Sequence, residues 1–274
     1  MEKTIFPPGL WGRFFDSDAP SPDPLTMEKM RIKSYNERIG TMTDWDCPEC
    51  RNKGDVAFLD GDKMRCRPCK CQPTRRCIRR MRESGLGDAL EHCTFDRYEA
   101  IQPWQKAMKQ VAYRYAQNPN GWLLMAGQSG CGKTHLCTAV VGELLRQGME
   151  VVYMPWKEDT AKLKAAAMDA VGRDRLMDRL MNAQVLYIDD LLWYNRADSH
   201  SSPSDADVKL AFELLTHREN GKKLTIISTE LMPHELGRIN EAVAGRILHN
   251  AAGNICTVNA DQRRNYRLRH VVTV

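Results

Sequence analysis

No stretch of this chain is apolar for long enough to cross a bilayer, and its first residues hold no apolar core of the kind a signal peptide needs. Aromatic residues are only 7% of the composition, so aliphatic side chains must supply most of any core. The net charge is a modest +5 over 274 residues, too little to hold the chain to nucleic acid or membrane by bulk charge alone. No internal repeat is visible, which excludes a solenoid. Cysteine, by contrast, is plentiful at ten residues. Without a secretion signal these read as metal ligands and buried thiols, so a reducing, cytoplasmic setting with no membrane partner is expected. The length suits one α/β domain with a smaller appendage.

The most informative stretch is Gly127-Gln128-Ser129-Gly130-Cys131-Gly132-Lys133-Thr134, which fits G-x-x-x-x-G-K-[ST] at every fixed position. Its glycines let several backbone N–H groups converge on phosphate oxygens. Lys133 is expected to reach the β/γ-phosphates, and the Thr134 hydroxyl to take a coordination place on Mg²⁺. The flanks agree: Trp122-Leu123-Leu124-Met125-Ala126 reads as a buried strand and residues 134–146 as a helix. A nucleoside triphosphate site is therefore expected, with His135 counted among the nucleotide-contacting positions. Neither His135 nor His217 has a nucleophile or metal partner in the sequence.

Strands and helices alternate around this motif. A helix is expected at 103–117, a strand at 150–154, and a helical region at 160–182 broken at Gly172. Val185-Leu186-Tyr187-Ile188 is an apolar strand ending in Asp189-Asp190. A buried strand of this kind delivers a carboxylate beside the phosphate loop. Asp189 is expected in the Mg²⁺ shell and Asp190 on the attacking water. A polar loop at 195–207, a helix to 218, a strand at 224–228, a helix at 239–249 containing Arg246 and a strand at 254–258 follow. The basic stretch 263–269 closes the chain. This order predicts an α/β fold with a parallel sheet covered on both faces.

Upstream, Phe6, Leu10, Trp11, Phe14 and Phe15 punctuate a Pro-, Asp- and Ser-rich segment that reads as a disordered tail or a docking peptide. Residues 25–39 show a helical stripe of Leu25, Ile32, Tyr35 and Ile39, for core packing or a partner, with Gly40 as terminator. Cys47 and Cys50 then face a hairpin, with a strand at 56–59, a turn at 60–62 and a return at 63–65. A second cysteine pair follows it. The two pairs suit a zinc ribbon or knuckle, a fold with too little core to stand without metal. The second pair is either Cys69 with Cys71 or Cys66 with Cys69, and spacing alone favours the latter. From residue 63 to 82, Lys63, Arg65, Arg67, Lys70, Arg75, Arg76, Arg79, Arg80 and Arg82 crowd with no acid among them. That is either a solvated face or a strip for a phosphate backbone, without base reading.

The phosphate loop, Asp189-Asp190, the 224–230 strand and the Gly245-Arg246 helix, in this order and spacing, resemble an AAA+ ATPase of the DnaC/IstB group. With Cys47-Pro48-Glu49-Cys50, Arg67-Pro68-Cys69-Lys70-Cys71, Tyr153-Met154-Pro155-Trp156 and Asn265-Tyr266-Arg267-Leu268, the chain looks most like DnaC-type and DnaI-type helicase loaders of phage and mobile elements. The resemblance covers the chain from about residue 46 onward. It implies an AAA+ P-loop core with sheet order 5-1-4-3-2 and self-assembly into an open ring or spiral. It further implies slow ATP hydrolysis and delivery of a DnaB-type replicative helicase onto single-stranded DNA. The segments implied are a tail and helix over 1–45, a zinc module with basic strip over 46–84 and the ATPase domain over 85–274. The zinc set becomes Cys47, Cys50, Cys69 and Cys71, with Cys66 an alternative ligand. Arg246 falls where such ATPases place an arginine finger that acts on the neighbouring subunit. Three departures stand out. Asp190 replaces the usual Glu. Glu230 stands where a sensing Asn or Thr is usual, which leaves Ser228 or Thr229 as the sensing hydroxyl. The helical lid is missing or vestigial, with Arg263 or Arg264 as a substitute cation. An IstB-type transposition helper, or a nucleotide-gated adaptor with negligible hydrolysis, would share most of these features.

Overall fold

Apolar runs without polar alternation form strands buried on both faces, and the central strand here illustrates it. All six residues of β3 (Trp122–Gly127) are buried. The computed structural model describes residues 23–43, 45–83, 86–166, 169–195 and 201–268. The aromatic segment from Phe6 to Phe15 lies outside the described residues, as does Arg269. The chain divides into two compact units, Met1–Lys70 and Cys71–Val274.

In the first unit, α1 (Pro24–Glu37) starts at Asp23, whose carboxylate accepts the Thr26 N–H. It packs on a two-stranded antiparallel hairpin, β1 (Asp55–Asp60) and β2 (Lys63–Pro68), turned at Gly61-Asp62. The expected apolar stripe does not form a core. No residue of α1 is buried, and Ile39 is 80% exposed. Polar groups fasten the helix instead. Asn36 exchanges 2.9 Å hydrogen bonds with the Ala57 N–H and carbonyl, Tyr35 donates to Asp55, and Glu28 accepts from Met64 N. Gly40 lies beyond the helix end rather than terminating it; its N–H donates to Arg51 O, and a Cβ there would collide with the Asn52 carbonyl.

The second unit begins with α2 (Gln72–Glu83) and α3 (Gly87–His92), which the sequence reading did not resolve. Then come α4 (Pro103–Gln117), β3, α5 (Lys133–Arg146), β4 (Val151–Pro155), α6 (Trp156–Ala165), α7 (Ala170–Asn182) and β5 (Val185–Asp189). After these follow α8 (Asp205–Asn220), β6 (Leu224–Thr229), α9 (Pro233–Ile239), α10 (Glu241–Asn250) and β7 (Ile255–Val258). The sheet is parallel with order β4-β5-β6-β3-β7, which is the expected 5-1-4-3-2 counted from the phosphate-loop strand. The expected break at Gly172 does not form: α6 ends at Ala165, and α7, which begins at Ala170, runs through Gly172. Asp169 accepts the Gly172 N–H and so caps α7, placing the glycine inside the first helical turn. After β7 the described chain makes only two 3₁₀ turns, Gln262–Arg264 and Tyr266–Leu268, so there is no full helical lid among the described residues. No described helix is long and apolar enough to cross a membrane.

Candidate active site and metal centre

Crossing from β3 into α5, the chain needs backbone angles that most residues avoid. Gly130 (φ +76°) and Gly132 (φ +96°) supply them, and Gly132 begins α5, so the loop N–H groups and the helix N-terminus face one concavity. Lys133 is buried, and its Nζ donates to the Gly127 and Gln128 carbonyls at 2.8 and 2.9 Å, which holds the loop in a closed curve. A cavity of about 580 Å³ opens here, within the range of small-ligand sites. Ser129, Gly130, Cys131, Gly132, Lys133, Thr134 and His135 all line it. His135 also contacts the Thr94 carbonyl through Nε2 at 2.9 Å and lies edge-on to Tyr98. The Cys131 thiol is pushed up by burial, which suits an inert wall rather than a nucleophile.

Strand pairing brings the carboxylates to this loop. Thr134 Oγ1 lies 3.2 Å from Asp189 Oδ1. Three further hydroxyls converge on Asp189: Tyr187 at 2.7 Å, Tyr153 at 3.2 Å and Ser228. The sequence reading passed over Tyr153 and Tyr187, although their signal was present. Tyr187 precedes Asp189 by two, so both share a sheet face, and Tyr153 pairs with Tyr187 in register. Burial first, and the Asp189 charge second, raise both phenols well above their ordinary range, so they remain donors. Asp190 sits in a left-handed turn (φ +56°) just past the strand, a strained conformation for a residue with a side chain. The turn is fixed by Asp190 N–H to Ser228 Oγ and Leu191 N–H to Ser228 O, and it leaves the Asp190 carboxyl on the cavity wall. Burial and then Asp189 push that carboxyl up to about 6, a range suited to accepting a proton from water.

The expected sensing hydroxyls do not reach the cavity. Ser228 is fully buried between Asp189 and the Asp190 N–H, and the Thr229 hydroxyl donates to Leu191 O while accepting from Leu231 N. Both hydroxyls are consumed in shaping the turn after β5. The side chain that lines the cavity at this edge is Glu230. The opposite wall comes from residues 93–105, including Tyr98 and Trp104, and a third side from Arg263, Arg264, Tyr266 and Arg267. Arg246 does not line the cavity. Its Nε lies 3.0 Å from Glu219 Oε2, though with the N–H turned away from that oxygen, and its guanidinium stacks 4.4 Å from the Phe212 ring centre.

The second site is a thiol cluster. Cys47, Cys50, Cys69 and Cys71 place their sulfurs within 4.8 Å of one another, and Cys47 and Cys69 are 3.7 Å apart. Sulfurs at about 2.3 Å from a tetrahedral Zn²⁺ sit about 3.8 Å apart, so the donor set fits that ion. Two donors already point at sulfur, as thiolate ligands favour: Gly54 N–H to Cys50 and Arg75 Nε–H to Cys71. Cys66 is exposed on β2 and is not part of the cluster, which removes it as the alternative ligand. The basic residues do not form one uniform strip. Arg65 pairs with Asp60, Arg67 with Glu49 and Arg82 with Glu91, while Arg75 is buried against Cys71. Arg76 and Arg79 remain exposed on one face of α2.

Comparison with known proteins gives a consistent picture. The family model described as IstB-like ATP binding protein matches residues 69–272. Phage-like element PBSX protein XkdC of Bacillus subtilis is 26% identical over 83% of this chain and 88% of its own length. The replicative helicase loader DnaC of Escherichia coli K12 is 25% identical over 41% of this chain and 48% of that protein, so the match spans about half of DnaC. Among solved structures, AMPPCP-bound DnaA from Aquifex aeolicus superposes with a TM-score of 0.50 at 14% identity, over 64% of this chain and 52% of that one. That likeness concerns the fold, which is of the AAA+ P-loop type.

Proposed function

Because this chain belongs to the family of IstB-like ATP-binding proteins, we propose that it is an ATP-hydrolysing loader of a DnaB-type replicative helicase, acting in the cytoplasm on single-stranded DNA. The observation that carries the enzymatic part is the 3.2 Å approach of Thr134 to Asp189, with Lys133 and Asp190 on the same cavity wall. In this reading Lys133 and the loop N–H groups bind the β/γ-phosphates. Thr134 and Asp189 would hold Mg²⁺, which neutralises phosphate charge when bound. The Tyr153, Tyr187 and Ser228 hydroxyls fix the Asp189 carboxylate in place. Asp190 orients water and takes its proton. It is one methylene shorter than Glu, so turnover is slow. Arg246, turned away from its own cavity, serves the site of a neighbouring subunit in a ring or spiral after leaving Glu219. The four-cysteine cluster holds structural Zn²⁺, and Arg76 and Arg79 add phosphate-backbone contacts.

The test is ATP turnover of the full chain with and without single-stranded DNA. Lys133→Ala should lower it by about 10²-fold or more. Turnover no higher than that of Lys133→Ala would leave a nucleotide-gated adaptor instead. The matched family also favours one second reading, an IstB-type transposition helper, since its model spans more of this chain than DnaC does. Capture with purified hexameric helicases and with transposases separates the two. Selective retention of a helicase supports the loader, and selective retention of a transposase supports the helper.

A further inference from the structure

Four hydroxyls crowd onto the Asp189 carboxylate, and they divide unevenly between its two oxygens. Oδ1 takes Tyr187 at 2.7 Å, Ser228, and Thr134 at 3.2 Å. Among the described residues, Oδ2 takes Tyr153 alone, at 3.2 Å. The direction of each bond is set. Ser228 Oγ accepts the Asp190 N–H, so its own proton goes to Asp189. An ionised carboxylate only accepts, so the two phenols and Thr134 donate as well. Each carboxylate oxygen offers about two lone pairs. Tyr187 and Ser228 therefore fill Oδ1, and Thr134 is an outlying third donor.

Apolar packing alone asks for no hydroxyl at position 187. Val185, Leu186, Tyr187 and Ile188 are all fully buried on β5. A phenylalanine would need no partner there, whereas a buried hydroxyl costs free energy until it is bonded. Tyr187 reaches Asp189 because positions i and i+2 share one face of a strand. Tyr153, its register partner on β4, stands beside it with the ring centres 5.3 Å apart, yet serves the other oxygen. Ser228 arrives from β6. Two strands thus close on Oδ1, the oxygen that Thr134 approaches.

Resting on the Mg²⁺–ATP reading above, we propose that Tyr187 is a specificity-determining residue for the divalent ion: with Ser228 it keeps Asp189 Oδ1 from becoming a direct ligand, and so makes nucleotide binding select Mg²⁺ over Ca²⁺. Mg²⁺ gives up water reluctantly, and a carboxylate that accepts from its water shell serves it well. Ca²⁺ gains from direct and bidentate carboxylate contact. The place that Thr134 holds at 3.2 Å admits one more long hydrogen bond, such as a water of the shell gives. It does not admit the roughly 2.3–2.6 Å approach of direct Ca²⁺ ligation. Tyr153 has no part in the choice, because it bonds the other oxygen.

Equilibrium binding of AMPPNP to the full chain, in excess Mg²⁺ and again in excess Ca²⁺, reads this as the ratio of two dissociation constants. In the wild type, binding should be about tenfold weaker in Ca²⁺ than in Mg²⁺. Tyr187→Phe should bring the two within about twofold, chiefly by tightening binding in Ca²⁺. Ser228→Ala empties the other place on Oδ1 and should narrow the ratio too, which keeps the test decisive should Tyr187→Phe fold poorly. Tyr153→Phe should move both constants together and leave the ratio where it was. A wild-type ratio near one overturns the proposal, as does a ratio that neither Tyr187→Phe nor Ser228→Ala changes. So does a Tyr153→Phe ratio that collapses as far as that of Tyr187→Phe, which is what general loosening of the site would give. A wild type that binds no AMPPNP in either ion overturns the ATP reading itself, and the proposal with it.

Discussion

Among described residues of Met1–Lys70, the buried apolar side chains are three cysteines and Ala57. In the second unit, Trp122, Leu124, Leu186, Ile188, Leu214, Ile227 and Ile247 belong to one continuous core. The first unit therefore has almost no hydrophobic term, and side-chain-to-backbone bonds and sulfur must replace it. The second has a large hydrophobic term, and its buried polar groups gather at the phosphate-loop site and where elements end. The contrast explains why cysteine spacing was the best guide to one unit and apolar periodicity to the other. It also implies that the two respond to different perturbations.

Metal removal separates them most sharply. Chelation, or Cys50→Ser, should abolish hairpin order in residues 46–70, because structural zinc supplies on the order of 10 kcal/mol to folds of this size. Co-purified zinc should fall from about one per chain, while AMPPNP binding persists. Retained amide protection in the hairpin after complete zinc loss would break the contrast.

The converse probe is Arg218. It is fully buried and donates to the Leu180, Met181, Ala183 and Leu224 carbonyls and to Thr225 Oγ1, where the end of α7 meets the start of β6. Burial brings its pKa down to about 10, so it remains charged at neutral pH. Arg218→Met strands those carbonyls and should cost about 3–5 kcal/mol in urea unfolding of the second unit. Zinc content should be unchanged.

What was readable in the sequence follows the same division. The β3, β5 and β6 runs, the phosphate loop and Asp189-Asp190 announce themselves locally, because each needs only its own neighbours to define it. Arg218 was not legible: its role exists only once α7 and β6 meet, and from the sequence it ends a helix like any basic residue. Ser228 and Thr229 misled for a related reason. Their hydroxyls are of the right type at the right strand end, but the left-handed turn at Asp190 draws both inward and leaves Glu230 on the cavity. The break expected at Gly172 shows a local competition, in which the Asp169 cap decides where the helix begins. The segment over residues 261–268 was legible as basic charge and as a match to the family, but not as a partner of the phosphate loop, since its bonds to Gln128 and Gly130 span more than 130 positions.

The smallest effect tests whether polar stitching in the first unit matters independently of metal. Asn36 presents its amide to Ala57 as a neighbouring strand would, covering both the N–H and the carbonyl of β1 there. Asn36→Ala removes two hydrogen bonds to the backbone of Ala57, which is 3% exposed, a loss of about 1–2 kcal/mol. Amide exchange at Ala57 should quicken about tenfold, with α1 exchanging faster as it loosens, and zinc content should stay the same. If exchange rises across the whole hairpin to the level of the chelated protein, α1 docking and metal binding form one cooperative event. If it rises only at Ala57 and along α1, the cysteines hold the hairpin, and the helix is a separately fastened element whose release leaves the metal centre whole.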